Sequence, residues 1–561
     1  MRSNLLLVAL LSQLHSSWGQ TFSLPTVNLG YASYQGLVNP ETQNTEFLGI
    51  RYAAAPTGNL RWRKPQPPGH QVGLQLANAQ PNICPQAPPG TSSSNPYAGL
   101  SSTQTSDGAT PEQTALETRQ LPVDPSGTED CLFLNVYAPG STLNETSNLP
   151  VIVWIHGGGY ILGSASGLAP GLGGPYDGND LIRRSGGNVI VVVIQYRLGL
   201  FGFLAGAQVK KNGVLNAGLL DQQFALKWVQ RHITKFGGDP SKVTIWGESA
   251  GAGSVLQQLI ANGGSTSPPL FRSAILSSTF LPPQFPFNHP TPEIIYSRAL
   301  ELTGCADGDC ETQLSCLRSV DMDVLQAANV QLNNDAFSGT FAFVPVIDGS
   351  FIREDPTQSL SNGRVNTRHI LAVSNGAEGP LFVNPAVTPE STPLGDYLLK
   401  LFPRLRAQDV TEISNHYNWL NTNIERFTEI MAEAIFVCPT YLVLQSANDN
   451  AYKALFAVPP ALHADDIGYY FPTVVPPGFN NPEFIQAFAQ SFVDFTLSQD
   501  PNIKQDPTSI LPQWPRWTES SPAEMLFNRS GDLPDINTFS TAPSLTERCQ
   551  FWQSISEFTF Q

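Results

Sequence analysis

Apolar residues in this chain fall into two alternating patterns, short unbroken runs and helically spaced sets. Residues 151–155 (VIVWI) and 189–196 (VIVVVIQY) read as strands buried on both faces, because neither run leaves a polar side. Residues 221–236 instead place Phe224, Leu226, Val229, Ile233 and Phe236 at helical spacing. Gly237-Gly238-Asp239-Pro240 stops that helix and restarts the chain as a strand through Val243-Thr244-Ile245-Trp246. Further strands are expected at 273–276, 369–373 and 452–458, with helices around 411–426 and 482–497. Strands alternating with helices predict parallel crossover units and an α/β, doubly wound sheet, whose ligands bind outside the carboxyl ends of the strands. Two stretches follow neither pattern. Residues 157–180 are dense in glycine, and 85–125 are rich in Ser, Thr, Gly, Pro and Gln with no hydrophobic period.

The chemistry concentrates at predicted strand ends. Gly247-Glu248-Ser249-Ala250-Gly251 follows the strand at 243–246 and precedes a small-residue helical stretch from Ala252. Strand, sharp turn and helix make a nucleophile elbow, in which the flanking glycines remove side chains that would clash at the turn. A G-x-S-x-G pentapeptide arises by chance roughly 0.3 times in a chain of this length, so its context carries the assignment. A Ser hydroxyl needs a base, usually a His held by a carboxylate. Four histidines follow Ser249: His289, His369, His416 and His463. His463 lies in Pro459-Pro460-Ala461-Leu462-His463-Ala464-Asp465-Asp466, just past an apolar run, where a loop brings an imidazole over the sheet edge. His369 opens a strand and His416 falls on a helical pattern, so both read as structural. Glu378, in Ser374-Asn375-Gly376-Ala377-Glu378-Gly379, follows the strand at 369–373 and is the candidate acid. His156-Gly157-Gly158-Gly159-Tyr160 follows the strand at 151–155 and offers backbone N–H groups unobstructed by side chains.

Several motifs now stand in order: Phe47-Leu48-Gly49-Ile50, Asn59-Leu60-Arg61-Trp62, Glu129-Asp130-Cys131-Leu132, the His156 run, Asn216-Ala217-Gly218-Leu219-Leu220-Asp221-Gln222-Gln223 through Gly251, and Gln513-Trp514-Pro515. Together they resemble the type B carboxylesterase and lipase family, which also contains the cholinesterases, and the likeness to its secreted fungal carboxylesterases covers almost the whole chain. The resemblance implies an α/β-hydrolase fold, a large mostly parallel sheet flanked by helices, and a triad of Ser249, Glu378 and His463. It also implies oxyanion donors at Gly158, Gly159 and Ala250, with His156 structural. The family's usual Gly after the base is Ala464 here. Further implications are disulfides Cys84–Cys131 and Cys305–Cys316 and ion pairs of Glu129 with Arg61 and Asp221 with Arg197. Glu248 reads equally as a charge beside the substrate or as a structural group. Cys310, Cys438 and Cys549 remain, and a Cys438–Cys549 bridge is one pairing open to them.

Composition narrows the setting. Residues 1–19 carry an early Arg, an apolar core from Leu5 to Leu11 and small residues near their end, as a cleaved secretory signal does. Residues 20–561 read as a single domain, with no second apolar stretch long enough to span a bilayer. Asn144-Glu145-Thr146 and Asn528-Arg529-Ser530 are glycosylation acceptors that agree with a secreted, extracellular protein. With 30 basic and 46 acidic residues the net charge of −16 disfavours nucleic acid as a partner. No metal-ligand spacing occurs, and no cofactor is implied; the expected partner is a small-molecule ester. Two alternatives stay open: a lipase in which 85–125 forms a lid, and an inactive cholinesterase-like binding protein. The span from Cys84 to Cys131 holds no Trp to grip a quaternary ammonium, which disfavours a cholinesterase. Residues 85–125 are expected to form a mobile flap beside the catalytic gorge.

Overall fold

The computed structural model describes residues 24–98, 127–168, 173–307 and 310–561. The expected signal at 1–19 lies outside them, as do residues 99–125 of the expected flap. The strands, in chain order, are β1 (Thr26–Asn28), β2 (Ser33–Gln35), β3 (Leu37–Val38), β4 (Thr45–Arg51), β5 (Leu74–Leu76), β6 (Phe133–Ala138) and β7 (Leu149–Ile155). They continue with β8 (Ile190–Ile194), β9 (Gly238–Glu248), β10 (Ser273–Ser277), β11 (Ile370–Asn375), β12 (Ala451–Phe456), β13 (Ala523–Ser530) and β14 (Leu533–Ser540). Among the described residues, strands β1, β2 and β5 make a small sheet, and the rest form an 11-stranded sheet ordered β14-β13-β12-β11-β10-β9-β7-β8-β6-β4-β3. Pairing is parallel from β13 across to β8 and antiparallel at both edges. The large sheet with flanking helices is the α/β-hydrolase fold, with more antiparallel edge than the sequence pattern disclosed.

The unbroken apolar runs are explained by burial on both faces. Val151, Val153 and Ile155 of β7 pack into one core, while Ile152 and Trp154 face the other. In β8, Ile190, Val192 and Ile194 divide from Val191 and Val193 in the same way. Trp154 and Trp246, on adjacent strands, meet edge to face at 5.4 Å.

Register then aligns the strand ends that matter. Ile155 pairs with Gly247, Ser277 with both Glu248 and Val373, and Asn375 with Phe456. The carboxyl ends of β7, β9, β10, β11 and β12 therefore lie side by side.

Helix boundaries differ from the sequence reading where caps decide them. The helix expected at 221–236 starts a turn earlier, as Ala217–His232, and tightens into a 3₁₀ turn at Ile233–Phe236. The helix expected at 411–426 is two helices, Ala407–His416 and Asn423–Ala432. Thr422 and Glu425 form a reciprocal cap that opens the second helix, so a continuous period conceals a break. Asn423–Ser446, running through a π-helical segment at Glu433–Val437, is apolar and long enough to cross a bilayer, contrary to the expectation that no such stretch follows the leader. Its apolar window is 83% buried in the protein, which makes it a core helix.

Bridges join Cys84 to Cys131, Cys305 to Cys316 and Cys438 to Cys549. Arg61 pairs with Glu129 at 2.6 Å and Arg197 with Asp221 at 2.7 Å, all four buried. Residues 85–98 do not have the loose character expected of the flap. Gln86 and Ala87 are fully buried, Ala87 N–H donates to Ile161 O, Gly163 N–H donates to the Gln86 side chain, and Gly90 N–H donates to Thr340 O.

Candidate active site

Each candidate residue sits where one of the aligned strands ends. Ser249 follows β9 with φ 56° and ψ −124°, a conformation that costs a non-glycine residue about 1–3 kcal/mol. Its N–H donates to Ser277 O at 2.9 Å and its carbonyl accepts from Gly253 N–H at 2.8 Å, so strand β10 and the following helix hold the turn. The flanking glycines answer to space. A Cβ on Gly247 would stand 2.4 Å from Gly251 C, and one on Gly251 would stand 2.1 Å from Ile155 O.

The glycine run after β7 lies against this elbow. A Cβ on Gly157 would meet Glu248 O at 2.7 Å and the Ser249 Cβ at 3.1 Å. Gly158 and Gly159 have φ of 99° and 61°, and a Cβ on either would strike Leu162 O or the Phe341 ring. Among the described residues, the N–H groups of Gly158, Gly159 and Ala250 donate to no protein acceptor, whereas the Gly158 carbonyl accepts from Ile161 and Leu162. His156 stands apart from them, stacked on Tyr196 at 4.5 Å with Nδ1 2.9 Å from Gly157 O. Burial, against that carbonyl's pull, lowers its pKa to about 4, so the ring is neutral.

Glu378 follows β11 and is buried, and it is tightly tied. Its Oε1 accepts from Ser278 Oγ at 2.8 Å and from Asn375 N–H at 2.6 Å, and its Oε2 lies 2.6 Å from His463 Nδ1. The loop after β12 delivers His463. Ala377 N–H donates to Ala461 O at 2.8 Å, locking the two loops together, and Ala461 and Ala464 take φ of 53° and 72°. The left-handed Ala464 gives the physical reason for a glycine after the base: here the Cβ is tolerated at a cost of about 1 kcal/mol. Phe436 and Phe382 pack on the imidazole at 4.5 and 5.0 Å. His463 Nε2 is buried without a hydrogen bond, 3.3 Å from Glu248 Oε1. Ser249 Oγ and His463 Nε2 share no hydrogen bond, and bonds of this kind tighten as the reacting groups come together.

The remaining histidines serve elsewhere. His289 caps a helix through Thr291 N–H, and His416 packs on Phe551. His369 precedes β11, its N–H donating to Thr367 Oγ1. Sequence reasoning missed Ser278 and left Asn375 and Asp466 without roles. Asn375 Nδ2 donates to both Ser278 Oγ and Asp466 Oδ1. The available signal for Ser278 was its place directly after β10, at the same sheet edge.

Three carboxyl groups crowd the imidazole. Burial pushes Glu248 up to about 8, against the pull of His463 and with help from Asp466 and Glu378. Burial likewise raises Asp466 to about 6, against the Asn375 hydrogen bond. For His463, burial disfavours the charged form, but Glu248 and then Glu378 outweigh it and hold the pKa above the ordinary 6.5. A base must be neutral, so activity should fall as pH drops through a value above 6.5. Glu248 and His463 titrate as a coupled pair, and ionised Glu248 holds the imidazolium only to the extent that the pair gives up its first proton from the carboxyl; Glu248→Gln removes that state, and the acid limb of the kcat/KM profile should move to lower pH. An unmoved or raised limb would show that Glu248 does not couple to the base.

The sequence pattern of the carboxylesterase family matches residues 23–552. Lipase 1 of Geotrichum candidum is 33% identical, over 86% of this chain and 87% of its own. Carboxylesterase patB of Penicillium expansum is 31% identical, over 95% of this chain and 96% of its own. The crystal structure of Aspergillus niger EstA superposes with a TM-score of 0.79 at 28% identity, covering 96% of this chain and 99% of that one.

Proposed function

The chain belongs to the carboxylesterase family and is a carboxylic ester hydrolase, and from that premise we propose that it is secreted and works through an acyl-enzyme built on Ser249, Glu378 and His463. One observation carries the proposal. The Glu378 carboxylate fixes His463 through Nδ1 and leaves Nε2, buried and without a hydrogen bond, beside the residue that precedes Ser249.

The steps follow from that geometry. Ser249 Oγ attacks the ester carbon as His463 Nε2 takes the hydroxyl proton, and Glu378 stabilises the resulting imidazolium. The tetrahedral oxyanion turns toward the N–H groups of Gly158, Gly159 and Ala250, which are not spent on protein acceptors. Collapse breaks the bond to the alcohol, which leaves with the proton from His463. Water then adds to the acyl-enzyme by the same relay, releasing the acid and restoring Ser249. The neutral fraction of His463 sets the rate at low pH.

A plain carboxylesterase is favoured over a lipase, because residues 85–98 are bonded to the walls of the site at Ile161, Gly163 and Thr340 and do not form the free hinge of a lid. Glycosylation is proposed at Asn144, which is exposed in a turn. It is also proposed at Asn528, which sits half-buried in β13 and is the less accessible acceptor. A fluorophosphonate probe should label the native protein at Ser249, located by peptide mass spectrometry, and Ser249→Ala should remove the label. A folded sample that resists labelling would return the chain to the class of inactive binding proteins.

A further inference from the structure

The turn that offers Gly158 and Gly159 N–H is held by a side chain that the mechanism above does not use. Residues 157–163 fold back on themselves, with Ile161 and Leu162 N–H both donating to Gly158 O at 3.0 Å. The two ends of the turn touch. A Cβ on Gly158 would strike Leu162 O, and one on Gly163 would stand 2.6 Å from both Gly157 O and His156 Nδ1. The placement of Gly158 therefore follows that of Gly163. Gly163, with φ 98°, lies in no strand or helix, so no regular ladder pairs its peptide groups. One buried amide pairs both of them. Gln86 Oε1 accepts from Gly163 N–H at 2.6 Å, and Gln86 Nε2 donates to Gly163 O at 3.1 Å and to Cys84 O at 2.7 Å.

Gln86 is itself fixed. It is fully buried two residues after the Cys84–Cys131 bridge, and its carbonyl accepts from Gln326 Nε2 at 2.6 Å and Asn329 Nδ2 at 3.5 Å. Asn329 supports the same turn by a second path, since its Oδ1 accepts from Leu200 N–H while the neighbouring Gly199 N–H donates to Tyr160 O. An apolar side chain at 86 would fill the space but leave the buried N–H and C=O of Gly163 unpaired. Resting on the acyl-enzyme reading above, we propose that Gln86 is a positioning residue for the reaction. Its side-chain bonds go to Gly163 and Cys84, not to Ser249, Glu378 or His463, and through Gly163 it sets the direction in which Gly158 and Gly159 N–H meet the oxyanion. Such donors stabilise the developing charge only if they are aligned before it forms, so a turn free to shift loses rate more than it loses substrate binding.

The test is a matched pair of p-nitrophenyl esters that differ only in the carbonyl oxygen, replaced by sulfur in one, each rate divided by that with hydroxide. Sulfur is larger and a weak acceptor, so aligned N–H donors favour the oxygen member and misaligned donors lose that preference. In Gln86→Leu the oxygen-to-sulfur ratio of kcat/KM should fall by on the order of tenfold from the wild-type value, with KM for the oxygen ester little changed. Gln86→Asn draws the amide back by one methylene and should lower the ratio too. The acid limb set by His463 should not move in either variant. Because each ratio is taken within one protein, a smaller folded fraction cancels. A folded variant that keeps the wild-type ratio, even at reduced activity, or failure of both variants to fold, assigns Gln86 to the fold alone and overturns the proposal. A wild-type protein with no preference for the oxygen member would instead overturn the oxyanion assignment, and turnover that survives in Ser249→Ala would overturn the acyl-enzyme reading.

Discussion

Replacing Ser249 or His463 by alanine should each lower kcat by on the order of 10⁴ to 10⁶, and the double variant should be little worse than either single one. The near-equality is the informative part. If Ser249 attacks only while His463 takes its proton, losing either member disables the same step, and the second loss has nothing left to remove. Glu378→Gln should cost less than either: its oxygen would be claimed by Asn375 N–H and Ser278 Oγ, so the amide NH2 would donate to Nδ1 and favour the imidazole tautomer protonated at Nε2, and the positive charge would no longer be balanced. The rate that survives would come from donors the substitutions do not touch, the N–H groups of Gly158, Gly159 and residue 250. Initial rates on a soluble p-nitrophenyl ester, with circular dichroism to confirm folding, decide the matter. Losses that add across the double variant would mean the two residues act in separate steps.

The parts of the fold legible in the sequence are those where one physical demand dominates. Strands β7 and β8 are buried on both faces, so they had to be unbroken apolar runs. The elbow had to bracket Ser249 with glycines, because both positions stand within contact of backbone atoms that cannot yield. The sequence positions of Glu378, in a turn of small residues just past β11, and of His463, in the loop that follows β12, are where the two side chains are found paired. The edge strands β13 and β14 were not legible, since their exposure alternates irregularly and they pair chiefly with each other.

The support behind Glu378 and His463 was hidden for a different reason. Ser278 just past β10 and Asn375 at the end of β11 bond Glu378 and each other, and Asn375 also holds Asp466 from beyond β12; short polar residues carry no period that announces such a meeting. Cysteine counting left Cys438 and Cys549 unassigned because their partnership depends on how the core helix Cys438–Ser446 lies against Pro543–Ser554, a matter of tertiary packing. Ala464 is the converse case. Its departure from the usual glycine was visible in the sequence, but only the φ of 72° shows what the glycine is for.

Gly251→Ala should damage both the fold and the chemistry, and by more than any exposed glycine substitution. A Cβ at this position would lie 2.1 Å from Ile155 O and 3.0 Å from His156 C and O, all backbone atoms at the end of β7. No side chain can rotate away to relieve that contact. Either the helix Ala250–Gly264 lifts from the sheet or the end of β7 moves, and β7 is held between β8 and β9 by pairing in register from Val151 to Ile155. The helix should therefore lift, carrying Ser249 and the Ala250 N–H with it while Gly158 and Gly159 stay in place. Overpacking of this kind costs about 1–3 kcal/mol or more, and a nucleophile displaced by about 1 Å from its base and oxyanion donors can lose on the order of 10² in rate. Gly478→Ala is the control, since a Cβ there meets nothing within 4 Å. The variant should show a lower urea midpoint and a kcat reduced by roughly that factor after correction for the fraction labelled by a fluorophosphonate, while the control matches wild type. A Gly251→Ala protein with the wild-type midpoint and kcat would show that the elbow helix has room to move, and that close packing against Ile155 does not set the position of Ser249.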